Sequence, residues 1–192
     1  ENYSTDNWVN LDDGITGTTI LDGIKEHAGS ATVAYDEEGT GSETDADVAI
    51  VVVGEYPYAE WFGDEHRCGG RTDMWTSVCD DGSRQYVDRM SLTSGMLGDQ
   101  QAMIDKYKDI PLVVVVITGR SLPTDDAIAA SDAFTVAWLP GSEGAGVADV
   151  LFGAAPATAK LPHAWIHDLS SLPYDGNKGD YPLGHGVTYS AR

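Results

Sequence analysis

Positive charge is scarce in this chain. Its 192 residues carry 11 Lys and Arg against 31 Asp and Glu, a formal net charge of −20 with a pI near 4.2. A field of that sign repels nucleic-acid phosphates and anionic headgroups, so neither nucleic acid nor a membrane surface is an expected partner. A long apolar run is missing as well, since nothing approaches the roughly 20 residues of a membrane span. Cysteine is limited to Cys68 and Cys79, both in one polar stretch that runs from His66 to Arg84. Neither has a second cysteine or a well-spaced histidine nearby, which disfavours a metal pair. The expectation is a disulfide stapling one surface segment, residues 66–90, with free thiols as the alternative. Such a bond suits an oxidising compartment, and the sequon Asn2-Tyr3-Ser4, a glycosylation candidate, points the same way. The chain opens on polar residues, so any targeting segment lay upstream or was removed.

What is present reads as a folded domain. Hydrophobic residues make up 42% of the chain, with 22 Gly and 5 Trp, enough to bury a sizeable core. Two uninterrupted β-branched runs, Val48-Ala-Ile-Val-Val-Val53 and Leu112-Val-Val-Val-Val-Ile117, are followed by Phe134-Thr-Val-Ala-Trp138. Runs apolar on both faces are what buried parallel strands require. Helical spacing falls between and around them, over 18–27, 99–107, 125–130 and 143–152. The alternation predicts an α/β sandwich with a mostly parallel sheet. A further strand is expected over Ala31–Tyr35, after a first helix stopped at Gly29. The domain layout predicted is an N-terminal arm over 1–16, the sandwich over 17–155, and a Pro/Gly/aromatic tail over 156–192 that wraps it.

In an open α/β sheet the ligand crevice lies outside the carboxyl ends of the strands. Val53 runs into Gly54-Glu55, Ile117 into Thr118-Gly119-Arg120, and Trp138 into Leu139-Pro140-Gly141-Ser142-Glu143. Glu55, Arg120 and Glu143 are therefore expected on one rim. Glu55 introduces Tyr56-Pro-Tyr-Ala-Glu-Trp-Phe-Gly-Asp-Glu65, where Glu60, Asp64 and Glu65 stand among aromatic rings. Rings that stack on pyranose faces, beside an acid able to protonate a leaving oxygen, are the materials of a sugar site. An acidic surface segment is the plainer account of the same residues. Arg120 is expected to pair with one of these acids or with a carboxylate across the crevice.

Other motifs point away from chemistry. Gly141-Ser-Glu-Gly-Ala-Gly146 opens a helix but lacks dinucleotide or P-loop spacing, and Glu143 would repel phosphate. A cap with tight helix–sheet packing is the expectation there. His163 and His167 flank strand-like sequence rather than one helical face, which disfavours a metal site. No nucleophile elbow of the G-x-S-x-G kind is present. No cofactor is called for.

Several of these segments, taken in order, resemble a known family. Val51-Val-Val-Gly-Glu-Tyr-Pro-Tyr-Ala-Glu60 with Gly63-Asp64, Val116-Ile-Thr-Gly-Arg-Ser-Leu122, Ala130 through Gly153, Lys160-Leu-Pro162 and Tyr181-Pro-Leu-Gly-His-Gly-Val-Thr-Tyr189 are similar to the C-terminal α/β sandwich domain of glycoside hydrolase family 3. That family holds β-glucosidases and exo-β-glucan hydrolases. The resemblance implies a flavodoxin-like three-layer sandwich that works beside a (β/α)8 barrel absent from this chain. The barrel would supply an aspartate nucleophile, and this domain would supply the general acid/base. The family's Gly-Glu motif places that role on Glu55, with Tyr58, Glu60, Asp64 and Arg120 as substrate-binding candidates.

Family members usually enter this domain through an apolar strand ending in Gly-Pro. Here polar Glu1 to Asn10 stands just after that place, so the sheet is expected to lack its first strand and to be completed by a barrel domain or other polypeptide. The implied partner is a carbohydrate, a β-glucoside or β-glucan, in an extracellular or periplasmic setting. The isolated chain is expected to be inactive. The rival is a non-catalytic carbohydrate-binding or assembly module on the same scaffold, because fold alone never assigns function.

Overall fold

A computed structural model describes residues 17–37, 39, 45–55, 98–166, 170, 176 and 179–191. In chain order the elements are α1 (Ile20–His27), β1 (Ala49–Gly54), α2 (Gly98–Lys106), β2 (Leu112–Ile117), α3 (Asp125–Ala130), β3 (Ala133–Trp138) and α4 (Gly144–Leu151). The three strands form one parallel sheet in the order β1-β2-β3. Parallel strands cannot be joined by tight turns, and each junction here carries a helix. Helix α2 packs on β1, α3 packs on β2 and β3, and the two helices touch each other. This is the α/β sandwich that the alternating pattern predicts.

The central strand is the most deeply placed. Leu112, Val114, Val115 and Val116 of β2 are fully buried, which is why that run carries no polar residue. Val51 and Val53 of β1 join Leu112, Val114 and Val116 in one cluster with Ile104, Leu122, Ala127, Trp165 and Ile166. Each large aliphatic side chain buried in this way stabilises the fold by about 1.5–3 kcal/mol before entropy is counted. The last two cluster members come from the segment after α4. That segment pairs with itself through antiparallel bridges Ala157–Tyr189 and Trp165–Tyr181. Its Trp165 donates from Nε1 to Thr124 Oγ1 at 2.9 Å, and Ile166 N–H donates to Ser121 Oγ at 2.7 Å. Both hydroxyls are buried, so these bonds satisfy groups that would otherwise be costly.

Two local expectations are corrected. Ala31–Tyr35 is neither helix nor strand, and Tyr35 is largely exposed. A strand exists only where a neighbouring edge takes its N–H and C=O groups in a ladder, and none of the strand pairings and bridges among the described residues includes this segment. The Gly141–Gly146 segment packs its helix on a helix, not on the sheet. A Cβ on Gly144 would lie 2.3 Å from the carbonyl carbon of Thr19, and one on Gly23 would lie 2.8 Å from Ala145 Cα. Helices α1 and α4 thus meet backbone to backbone. Gly144 N–H donates to Thr18 O, and Ala145 N–H donates to Thr18 Oγ1, so Thr18 caps the partner helix. Helix α1 starts with a capping box in which Thr19 and Asp22 exchange bonds, and the left-handed Gly29 follows its end.

Candidate active site at the strand ends

Strand β1 ends on a glycine for a steric reason. A Cβ on Gly54 would lie 2.8 Å from Ile117 O and 2.9 Å from Ile117 Cβ, so no other residue lets β1 finish this close to β2. The next residue stays in register, with Glu55 N–H donating to Ile117 O at 3.0 Å. Its side chain is thereby carried over the end of β2.

There it meets the residues that follow Ile117. Arg120 donates from Nε at 2.8 Å and from Nη2 at 2.6 Å, both to Glu55 Oε1. Thr118 Oγ1 donates to the other oxygen, Oε2, at 2.5 Å. Arg120 N–H in turn donates to Thr118 Oγ1 at 3.1 Å, which turns the hydroxyl toward the carboxylate. The Glu55 side chain is 4% exposed and that of Arg120 is 17% exposed. Burial makes such a charge-assisted set geometrically strict, because an ion taken from water needs its lone pairs answered. Among the described residues, Arg120 forms an ion pair with Glu55.

The end of β3 completes the rim by a distortion. Val116 pairs with Val136, but Ile117 pairs with Trp138, so β3 has one extra residue. Trp138 sits at φ 57, the only non-glycine residue at positive φ among those described. Left-handed geometry is uncommon for a bulky aromatic residue and is sustained only by its surroundings. Here Trp138 O accepts from Thr118 N–H at 3.1 Å, and its ring packs edge-on against both His163 and Trp165. The bulge thus supports the residue that holds Glu55 Oε2.

Glu143 does not join the group. It precedes α4, and its backbone bridges Thr18. Asn2, Tyr58, Glu60, Asp64, Glu65, Cys68, Cys79 and His167 lie outside the described residues. His163 Nδ1 lies 3.0 Å from Ala164 O, and no cluster of three His, Cys, Asp or Glu able to hold a metal ion occurs among the described residues. Two contributors escape sequence reasoning: Thr118, an ordinary-looking residue after a strand, and Gln100 of α2, which bonds Gly54. Thr118 is signalled only by its place between an apolar run and Gly119-Arg120.

Comparison with known proteins agrees with this architecture. The glycosyl hydrolase family 3 C-terminal domain matches residues 3–189. A lysosomal beta glucosidase of Dictyostelium discoideum is 26% identical over 192 residues, covering 91% of this chain and 20% of that protein. A periplasmic beta-glucosidase of Salmonella typhimurium is 24% identical over 180 residues, covering 80% of this chain and 20% of its own length. Among solved structures, an exo-1,3/1,4-beta-glucanase from a Pseudoalteromonas species superposes with a TM-score of 0.65 at 31% identity, over 93% of this chain and 27% of that one. A beta-glucosidase from Listeria innocua in complex with isofagomine gives a TM-score of 0.62 at 19% identity, over 90% of this chain and 26% of that one, a likeness of fold. The chain spans about a fifth of the length of these curated relatives. With nearly its whole length matched in order, the chain belongs to the glycosyl hydrolase family 3 C-terminal domain family.

Proposed function

We propose that this domain is the acid/base-bearing part of a retaining, exo-acting β-glucosidase or β-glucan hydrolase of the extracellular or periplasmic space. Its nucleophile is an aspartate of a barrel domain outside this chain. In the first step that aspartate attacks the anomeric carbon, and an acid protonates the departing glycosidic oxygen. In the second step the same group, now a base, takes a proton from the water that releases the sugar. The barrel, or the chain that joins it to this domain, also supplies a strand beside β1 that pairs ahead of Gly54, whose outer-edge groups Gln100 takes.

The observation that carries this reading is the Glu55–Arg120–Thr118 lock at the carboxyl ends of β1 and β2, where α/β sheets place their ligands. The lock also bears on which carboxyl transfers the proton. A general acid carries a proton and offers it to substrate, whereas both oxygens of Glu55 accept bonds from this domain's own side chains. We therefore assign Glu55 as the anchor of the rim. Proton transfer falls to an acid of the aromatic segment that it introduces, Glu60, Asp64 or Glu65, with Tyr58 beside the sugar.

The test uses the full-length protein, barrel included, on aryl β-glucosides. One of Glu60→Gln, Asp64→Asn and Glu65→Gln is expected to lose about 10²–10⁴-fold on substrates with poor leaving groups, and on a dinitrophenyl glucoside, where release of the glycosyl enzyme limits the rate, azide is expected to speed its turnover and give the glucosyl azide. Azide rescue of Glu55→Gln instead would return the acid/base role to Glu55. Failure of the full-length protein to hydrolyse any β-glucoside would overturn the glycosidase reading and favour a carbohydrate-binding module.

A further inference from the structure

In a parallel strand the N–H and C=O of one residue point to the same side. Ala49 and Glu55 of the β1 run donate to Pro111 O and Ile117 O of the β2 side, so Gly54, one residue out of phase, turns its two groups to the outer edge of β1. Both are answered there by one side chain. Gln100 Oε1 accepts from Gly54 N–H at 3.0 Å, and Gln100 Nε2 donates to Gly54 O at 2.8 Å. Reversing the amide would set donor against donor and acceptor against acceptor, so the two bonds fix its orientation. The carboxamide stands where the peptide of a neighbouring strand would stand.

Gly54 is the residue before Glu55, and Gln100 is in the first turn of α2. Glu55 and Gly98 are the described residues on either side of residues 56–97. The clamp therefore ties the end of β1 to the start of α2, while the packing of Gly54 on Ile117 holds the strand from its other side. The neighbouring glutamine does something different: Gln101 is buried and donates within α2 to Asp105 Oδ1 at 3.0 Å.

We infer that Gln100 is a positioning residue, whose amide clamp on Gly54 sets the aim of the Glu55 rim. This rests on the glycosidase reading above. Displacing a reacting group by about 1 Å costs up to about a hundredfold in rate, so a clamp one residue from the rim has leverage on proton transfer.

The experiment compares wild type, Gln100→Met, Gln100→Glu and Gln101→Met in the full-length protein. Each is assayed on an alkyl β-glucoside, whose leaving group needs protonation, and on 2,4-dinitrophenyl β-glucoside, whose leaving group does not. Gln100→Met is expected to lower kcat/KM, which reads the bond-breaking first step, about tenfold on the alkyl glucoside and less than about twofold on the dinitrophenyl one. Gln100→Glu keeps the acceptor for Gly54 N–H but sets an oxygen against Gly54 O, and its loss is expected to be selective in the same sense. Gln101→Met is expected to leave the ratio of the two rates unchanged. Amide exchange at Gly54 should quicken about tenfold in Gln100→Met, the equivalent of one lost hydrogen bond. Equal losses on both substrates in the two Gln100 variants, or unchanged Gly54 exchange in Gln100→Met, would overturn the clamp. Should wild type hydrolyse neither glucoside, the glycosidase reading fails alone, and Gly54 exchange still decides whether the clamp exists.

Discussion

Two carboxyl contacts of similar length stand at different places in this domain. At the strand ends Arg120 Nη2 lies 2.6 Å from Glu55 Oε1; between the helices His27 Nε2 lies 2.7 Å from Asp149 Oδ1. The first pair is nearly sealed, with 4% of Glu55 and 17% of Arg120 exposed, and both carboxylate oxygens are bonded. The second is open, with 45% of Asp149 exposed, and the imidazole rests flat on Phe152. Distance does not separate them. Burial does, because a buried charge that loses its partner has no water to replace it, while an exposed one does.

The comparison is broken most directly at Arg120. Arg120→Met leaves the Glu55 carboxylate buried with one partner, and a loss of about 3–5 kcal/mol is expected in a denaturant titration. A loss as small as that of the helix pair would erase the distinction. Next in size is Thr118→Val, which removes the hydroxyl from Glu55 Oε2 and should cost about 1.5–3 kcal/mol, as for bonds to charged groups. Its cost in the Arg120→Met background should differ from its cost alone by at least about 0.5 kcal/mol, since both serve one carboxylate.

At the helix end the effects shrink. Thr19→Ala removes the capping box of α1 and should cost about 1 kcal/mol at neutral pH. The Thr19 hydroxyl, and then its backbone N–H, hold the Asp22 carboxyl below the usual carboxylate range. A lowered folded-state value stabilises the fold above the unfolded carboxylate range, and the benefit is lost as pH falls through the lowered value. Stability measured against pH should therefore show a shallower acid limb in Thr19→Ala than in wild type. Smallest of all, Asp149→Asn should cost about 0–1 kcal/mol in the same titration.

The same contrast explains what was legible in the sequence. The three strands were readable because β2 is buried on both faces and must be apolar throughout, and helix α3 was readable from its spacing alone. Ala31–Tyr35 has the composition of a strand, yet pairing is a property of two segments and no partner is written into either one. The glycines of Gly141–Gly146 announce close packing without naming the surface that approaches. At the site, Glu55 and Arg120 stood out as charged residues after apolar runs, but their mutual pairing, across sixty-odd residues, depends on the β1–β2 register. Glu143, equally prominent in sequence, is held by Thr18 instead.

By itself the sequence determined the α/β alternation, the acidic surface and the order of motifs that defines the family, since these depend on residue type and spacing along the chain. The tertiary structure alone decided what Glu55 touches, that β3 gains a residue at its end to place Trp138 under Thr118, and that Gln100 takes both backbone groups of Gly54 at the outer edge of β1. Those outcomes rest on which backbone groups face one another after the sheet has formed, and no local pattern encodes that choice.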